Sequence, residues 1–481
     1  MANIRDVARA AGVSPATVSR TFATPNLINA QTQKRVMEIA RQLNYRPPRL
    51  RSAKGETTPH ISNTLLSSDL YPALRENVEQ NLRIQVLAPW YPRALDNIQG
   101  GFFEVFDETW NRSQAIPNTK SVVYQSRLTW MAAKAAQHYP EEKTFYSSVA
   151  LQGLKCLSDR IWDSENGGFY WNVSETNTAG RNGEKHAYGI AFAIYAASAV
   201  HEMTQETGAL DLAKEAYLWL ENHAHDADHG GYYEALDRYG DRLLTARSAP
   251  APQRDPIGMR YGYKSMNGHI HLLEAFTALY TIWPDAGLRG RLEELLTIVR
   301  DKIVVEPGCQ NLFFTLDWRA LPNDDSFGHD VETAYLITEA SGVLGRPEDS
   351  ATWKIARQLV DHALDVGWDD DYGGFYDSGP AFGKATATDK IGWVQAEGMN
   401  ALLRFHSRYG KETPVYGAAF LRQWDFILKH QIDYRNTGWY SSVRREGTPF
   451  PQQLKSDAWR DPYHQGRALM NVSKMLHKLA L

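Results

Sequence analysis

A pair of glycines followed by two aromatic residues recurs along this chain at a nearly constant period, and that recurrence constrains the fold more than any other feature. Gly100-Gly101-Phe102-Phe103, Gly167-Gly168-Phe169-Tyr170, Gly230-Gly231-Tyr232-Tyr233 and Gly373-Gly374-Phe375-Tyr376 are full copies; Asn311-Leu312-Phe313-Phe314 and Thr437-Gly438-Trp439-Tyr440 are degenerate ones. The six starts are separated by 67, 63, 81, 62 and 64 residues, the length of a helix-loop-helix unit plus a short β-turn element. Asp96, Asp163, Asp226, Asp369 and Asp433 precede five of them, as expected of turns. Between the turns the apolar residues fall at helical spacing, as in Ile190, Ala193, Ile194 and Ala197 or Leu272, Ala275, Phe276 and Leu279. Six helical hairpins close naturally into an (α/α)6 barrel, so an all-α barrel is expected over residues 65–481. An open solenoid is the competing architecture, but solenoids rarely stop at six repeats without polar caps.

The N-terminal residues do not share this pattern. Residues 1–60 carry a net charge of +7 and the remainder -11, so a basic head sits on an acidic body, and only the head is suited to a polyanion. Ile4, Val7, Ala8 and Ala11 recur at helical spacing and Gly12 is a natural stop. Ser14 can cap a second helix that has Pro15 in its first turn and runs through Ala16, Thr17, Val18, Ser19 and Arg20. A third helix, from about Asn29 to Leu43, carries Val36, Ile39, Ala40 and Leu43 on one face. The turn between the first two helices is short enough to specify a helix-turn-helix. The segment "IRDVARAAGVSPATVSRTFATPNLINAQTQKRVMEIARQLNYRP" resembles the DNA-binding head of lactose-repressor-family regulators. By that resemblance the second helix enters the major groove of double-stranded DNA. Pro15, Ala16 and Arg20 then read bases, with Arg20 able to pair bidentately with guanine, while Thr17 and Ser19 meet phosphates. Such heads act as dimers, so a homodimer is expected. The family continues into a hinge helix, whereas "RPPRLRSAKGETTPH" reads as a flexible linker. The expected organisation is therefore a head at 1–48, a linker at 49–64 and the barrel at 65–481.

Polar residues gather near the starts of alternate helices of the body. They are Arg127 in "YQSRLTW", Tyr188 in "KHAYGIAF", Asn267, His271 and Glu274 in "SMNGHIHLLEA", and His329 with Glu332 in "SFGHDVETAY". Trp393, Gln395 and Glu397 follow in "GWVQAEG", then Trp459, His464 and Arg467 in "AWRDPYHQGR". In an (α/α)6 barrel alternate helices line the interior, where polar residues need partners or a function. Their shared position in the repeat puts them around one mouth. "MNGHIHLLEA", "GHDVE", "WRDPYH" and "WVQAE", together with the Gly-Gly-aromatic turns, resemble the N-acylglucosamine 2-epimerase and cellobiose 2-epimerase superfamily over essentially all of 65–481. The resemblance implies that His329 and His464 are paired acid/base residues, that Glu332 orients His329, and that Arg127 holds the substrate oxygens. It implies that His271 with Asn267 assists ring opening and that Tyr188, Trp393 and Trp459 hold the sugar; Glu274, Gln395, Glu397 and Arg467 complete the substrate-binding set. Two departures stand out: Gly392 replaces the first of two aromatics, and Arg460 stands where the family has lysine.

Moving or inverting a hydroxyl beside an aldehyde requires removal of the C2 proton, for which histidine is best poised near neutral pH. The cis-enediolate left behind is anionic, and a guanidinium stabilises it. Carbon acidity next to a carbonyl suffices, so neither cofactor nor metal is expected. A zinc hydrolase would favour two histidines on one helix, and Arg127 would oppose a cation in the same mouth. A glycoside hydrolase would need two facing carboxylates. The non-enzymatic alternative is a catalytically idle sugar sensor serving the DNA-binding head. Two cysteines, Cys156 and Cys309, without knuckle spacing fit a reducing cytoplasm, and no long apolar stretch marks a signal peptide or anchor.

Overall fold

The computed structural model describes residues 4–15, 17–18, 21, 29–43, 65–112, 116–246 and 251–481. In the head, α1 (Ile4–Ala11) ends at Gly12, whose φ of +62° is the left-handed stop that a residue without Cβ supplies. The Ser14 hydroxyl accepts the Thr17 amide at 3.1 Å, the first bond of the next turn. α2 (Ala30–Gln42) is capped by Asn29, whose Oδ1 accepts the Thr32 amide at 2.9 Å. Val7, Ala8, Ala11, Val18, Val36 and Ala40 form a small core of their own, with Ile39 packed against it. Leu43, expected on the same face, is 36% exposed and stands outside that core, because it follows the last full turn of α2. Ala16, Ser19 and Arg20, and the linker expected at 49–64, lie outside the described residues.

The body is the expected barrel. Its helices are α3 (Tyr71–Asn81), α4 (Val122–His138), α5 (Lys143–Cys156), α6 (Ala187–Thr204), α7 (Thr207–His223) and α8 (Met266–Ile282). They continue as α9 (Ala286–Ile298), α10 (Phe327–Val343), α11 (Ser350–Val366), α12 (Gly392–Tyr409), α13 (Val415–Phe426) and α14 (Tyr463–Ala480). α4, α6, α8, α10, α12 and α14 pack successively into an inner ring, and each has an outer partner. α14 packs against both α4 and α3, which closes the ring. Inner helices are apolar nearly all round, as helices enclosed on every side must be. Small residues such as Ala132, Ala133, Ala136, Ala193, Ala196 and Ala197 let neighbouring backbones approach.

Each turn after an outer helix is built in one way. The aspartate's Oδ1 accepts amides two and three residues on; Asp163, for instance, holds Glu165 at 3.1 Å and Asn166 at 3.2 Å. The second glycine, at positive φ, must lack a side chain because a side chain from elsewhere fills its space. A Cβ on Gly101 would lie 2.4 Å from Gln125 Oε1, and one on Gly374 2.6 Å from Gln395 Oε1. A buried lysine two residues before the inner helix then neutralises the aspartate. The pairs are Lys120–Asp96 (2.8 Å), Lys185–Asp163 (3.0 Å), Lys264–Asp226 (2.6 Å) and Lys390–Asp369 (3.2 Å). Lys455 does the same for Asp433 at 2.7 Å from a longer loop.

The fourth turn departs from this scheme. Bridges join Leu95 to Phe102, Trp162 to Phe169 and Trp368 to Phe375, whereas here Val304 pairs with Gln310, so the loop is one residue shorter. The degenerate copy therefore lies at Val305–Gln310 and not at Asn311–Phe314. Phe313 and Phe314 belong to the following strand, paired with Tyr263–Ser265.

Candidate active site

At the end of the barrel where the inner helices begin, a cavity of about 410 Å³ opens. Arg127, Tyr188, Asn267, His271, His329, Glu332, Trp393, Trp459 and His464, all expected from sequence, line it. Position in the helix explains the convergence: Arg127, His271, Glu332 and Glu397 are each the sixth residue of an inner helix, one turn in and aimed at the axis.

The floor is an ion cluster around one guanidinium. Arg467 is bonded to Glu274, to Glu332 and, at 2.7 Å, to Glu397, and all four groups are buried. Tyr463 donates to Glu274. Burial opposes the charge on Glu274, but Arg467 and His271, the latter at 2.9 Å, hold its pKa down at about 2. Glu274, Glu397 and Arg467 lie beneath the cavity and do not line it, so they position other groups; the expectation that they touch substrate is corrected.

The two histidines flank Trp393, whose ring centroid lies 4.8 Å from His329 and 5.2 Å from His464. His464 Nδ1 lies 2.8 Å from Glu397 Oε1. With Glu397 ionised, Nδ1–H donates and Nε2 carries the lone pair. His329 is held differently from the expectation: its Nδ1 meets the Ser326 hydroxyl at 2.8 Å. Glu332 is instead bonded to Arg467 and lies 3.7 Å from His464. The one-turn spacing of His329 and Glu332 does put both on one face, but a buried guanidinium competes for the carboxylate more strongly than an imidazole does. Burial lowers the pKa of His329 to about 4 and of His464 to about 3, so both imidazoles are neutral at physiological pH.

Arg127 donates to Asp461 at 2.8 Å and to the Tyr188 hydroxyl at 3.0 Å, which fixes its guanidinium plane over Phe192 and Tyr463. Asn267 Oδ1 has no hydrogen-bond partner among the described residues, an acceptor available to a ligand. Trp459 is half exposed on the rim beside Trp171 and Tyr188. Gln395 is not at the site. Its amide accepts from the Phe375 amide at 3.0 Å and donates to the Phe375 carbonyl at 2.8 Å, so it pins the turn as Gln125 pins Phe102. Sequence reasoning missed Ser326, Asp461 and Tyr463, and also Trp90, Trp110 and Trp439 in the wall. "SFGH" and "RDPYH" flank the histidines and could have drawn attention to the first three. Gly392 is explained by space, since a Cβ there would press on the Tyr440 carbonyl at 3.0 Å.

Comparison with known proteins agrees with this architecture. A cellobiose 2-epimerase of Bacteroides fragilis is 29% identical over 401 residues, covering 83% of this chain and 98% of the relative. A D-mannose isomerase of Marinomonas mediterranea is 25% identical over 438 residues, covering 84% and 99%. The solved cellobiose 2-epimerase of Spirochaeta thermophila superposes with a TM-score of 0.75 at 28% identity, over 86% of this chain and 99% of that one. Fold and relatives together define a carbohydrate epimerase or isomerase. Residues 101–468 match the N-acylglucosamine 2-epimerase (GlcNAc 2-epimerase) model and residues 3–48 that of bacterial regulatory proteins of the lacI family. The chain belongs to the N-acylglucosamine 2-epimerase family and carries a lacI-type DNA-binding head. No described helix is long and apolar enough to cross a membrane.

Proposed function

We propose that the barrel epimerises or isomerises an aldose at C2 through a cis-enediolate, with His329 and His464 as the proton-transfer pair. The observation that carries this reading is two imidazoles lining one cavity, both against Trp393 and each with its Nδ1 held by a hydrogen bond. A neutral imidazole Nε2 takes the C2 proton of the open-chain sugar and becomes imidazolium. Arg127, held by Asp461 and Tyr188, compensates the enediolate oxygens. The imidazolium so formed gives the ketose by returning its proton to C1; for the epimer the second imidazole passes a proton from solvent water to the opposite face of C2, and the first imidazolium releases its own to solvent. Asn267 and His271 face the ring oxygen and the C1 hydroxyl during opening. The half-exposed Trp459 offers an apolar face at the rim to a second sugar ring, which favours a disaccharide; the relatives' names point to cellobiose and mannose as first substrates to try. Incubation with glucose, mannose, cellobiose, mannobiose and N-acetylglucosamine in heavy water is expected to place deuterium at C2 or C1 of one of them by proton NMR. No exchange with any sugar would leave the sensor reading.

Because the imidazole that takes the C2 proton must be neutral, the lowered pKa values extend activity toward acid. kcat/KM should stay level as pH falls through 6.5, the ordinary histidine value, and decline only toward about 4. A steady-state profile between about pH 5 and 8 checks this, and an acid limb centred near 6.5 would contradict it.

We further propose that the head and barrel form a sugar-responsive regulator that dimerises through the barrel. One helix-turn-helix contacts too few bases alone, and two half-sites lie about one helical turn apart. A gel-shift titration on a selected operator should show operator affinity changing when substrate is added. Equal affinity with and without substrate would mean that the two units are joined but not coupled.

A further inference from the structure

The fourth turn carries chemistry that the other five lack. Two residues before α10 stands Asp325, where four other inner helices have lysine. The fourth residue of α10 is Asp330, where α4 and α12 have the amides Gln125 and Gln395. Two fully buried carboxylates thus replace a cation and an amide. Facing them are His362 from α11 and Cys309 from the short strand Cys309–Gln310, both buried.

The outward hydrogen-bonding capacity of this cluster is already used. His362 Nε2–H donates to the Ala381 carbonyl at 2.7 Å. Asp325 Oδ1 accepts the Ser326 amide at 3.0 Å, and Asp330 Oδ1 accepts the Gln310 side-chain amide at 3.1 Å, whose own oxygen is held by Thr333. The inward atoms are different: His362 Nδ1, Asp325 Oδ2 and Asp330 Oδ2 are buried without a hydrogen-bond partner. His362 Nδ1 lies 3.4 Å from Asp325 Oδ2 and 3.6 Å from Asp330 Oδ2. Ligands at ~2.1 Å from a tetrahedral zinc stand ~3.4 Å apart, so these separations are those of a coordination shell. The donor atoms of Cys309, Asp325 and His362 all fall within 4.8 Å of one another.

We propose that Cys309, Asp325 and His362 form a zinc site at the base of the fourth turn, with Asp330 beside it as a second buried carboxylate. The donor set of thiolate, imidazole and carboxylate suits zinc better than calcium or magnesium, which take oxygen alone. The bonds to Ala381, Gln310 and Ser326 are the outer-shell partners that orient such ligands. The ion replaces the lysine as the positive charge of this repeat and ties α11 and the strand Cys309–Gln310 to the start of α10. None of the three ligands lines the cavity at the mouth, so the ion has no part in the reaction proposed there.

The test is metal analysis of the full chain, expressed with zinc and dialysed against metal-free buffer. About one zinc per chain should be retained, and chelation should lower the melting temperature reversibly. The cobalt-substituted protein should show thiolate-to-cobalt charge-transfer absorption, which Cys309→Ser removes. Asp325→Asn and His362→Ala should weaken zinc binding by at least the ~10–100-fold that loss of an outer-shell partner causes. The Cys309→Ser variant keeps the test open if the larger changes fail to fold. No retained zinc, with a melting temperature indifferent to zinc and chelator, would overturn the proposal and leave a proton on His362 as the balancing charge. Zinc retained by these variants but lost in His464→Ala would also overturn it, by placing the ion among Glu332, Glu397 and His464. That result would overturn the metal-free mechanism at the mouth as well.

Discussion

His329→Ala and His464→Ala should each lower kcat for sugar turnover by ~10²–10⁴-fold, the usual contribution of a general acid or base, with the fold unchanged. Either loss leaves one face of C2 without a proton carrier. The exchange experiment separates the two roles: a variant lacking only the donor still exchanges the C2 proton with solvent, whereas one lacking the base exchanges nothing. Ser326→Ala should cost less than His329→Ala, because it frees the ring to rotate but keeps its lone pair. Circular dichroism and steady-state kinetics on the same preparations decide the matter, and near-normal turnover by either alanine variant would remove that histidine from the mechanism.

Arg467→Leu should be the most destabilising single change in the barrel. It strands the buried carboxylates of Glu274, Glu332 and Glu397 without their shared cation. Removing one partner of a buried ion pair costs ~3–5 kcal/mol, and three carboxylates share this one. The melting temperature should fall by on the order of 10 °C. Adding Glu332→Gln should recover part of the loss, since one fewer charge is stranded. Thermal melts of the single and double variants measure both effects. A melting temperature within about 2 °C of the parent would show that the carboxylates accept protons at little cost.

The barrel was legible because its turns demand glycine. A backbone at positive φ with a side chain pressed against it leaves no other choice, so the period shows through a divergent sequence. The fourth turn was misread at Asn311–Phe314 because deletion of one residue removed the glycine pair, and the aromatics of the next strand imitated the motif. The lysines were not foreseen at all. Lysine is ordinarily a surface residue, and nothing short of the turn's geometry marks Lys120, Lys185, Lys264 or Lys390 as buried. At the mouth, helical spacing located Arg127, His271, Glu332 and His464, since the sixth or second position of an inner helix can be counted from the turn. Spacing could not say which carboxylate serves which histidine. That depends on Arg467 arriving from another helix to claim Glu332, and on Ser326, a common capping residue, being left for His329. Gln395 was placed at the site for the same reason: its segment is right, but its face of the helix looks outward to the turn.

α14 seals the ring against α4 and supplies both His464 and Arg467. During synthesis the head, with a core made entirely of nearby residues, can fold while the barrel is still an open arc. The mouth has no floor until the last helix leaves the ribosome. A chain cut short before residue 463 would therefore keep its DNA-binding module and lose its chemistry, and every molecule passes through that state on the way to becoming an enzyme.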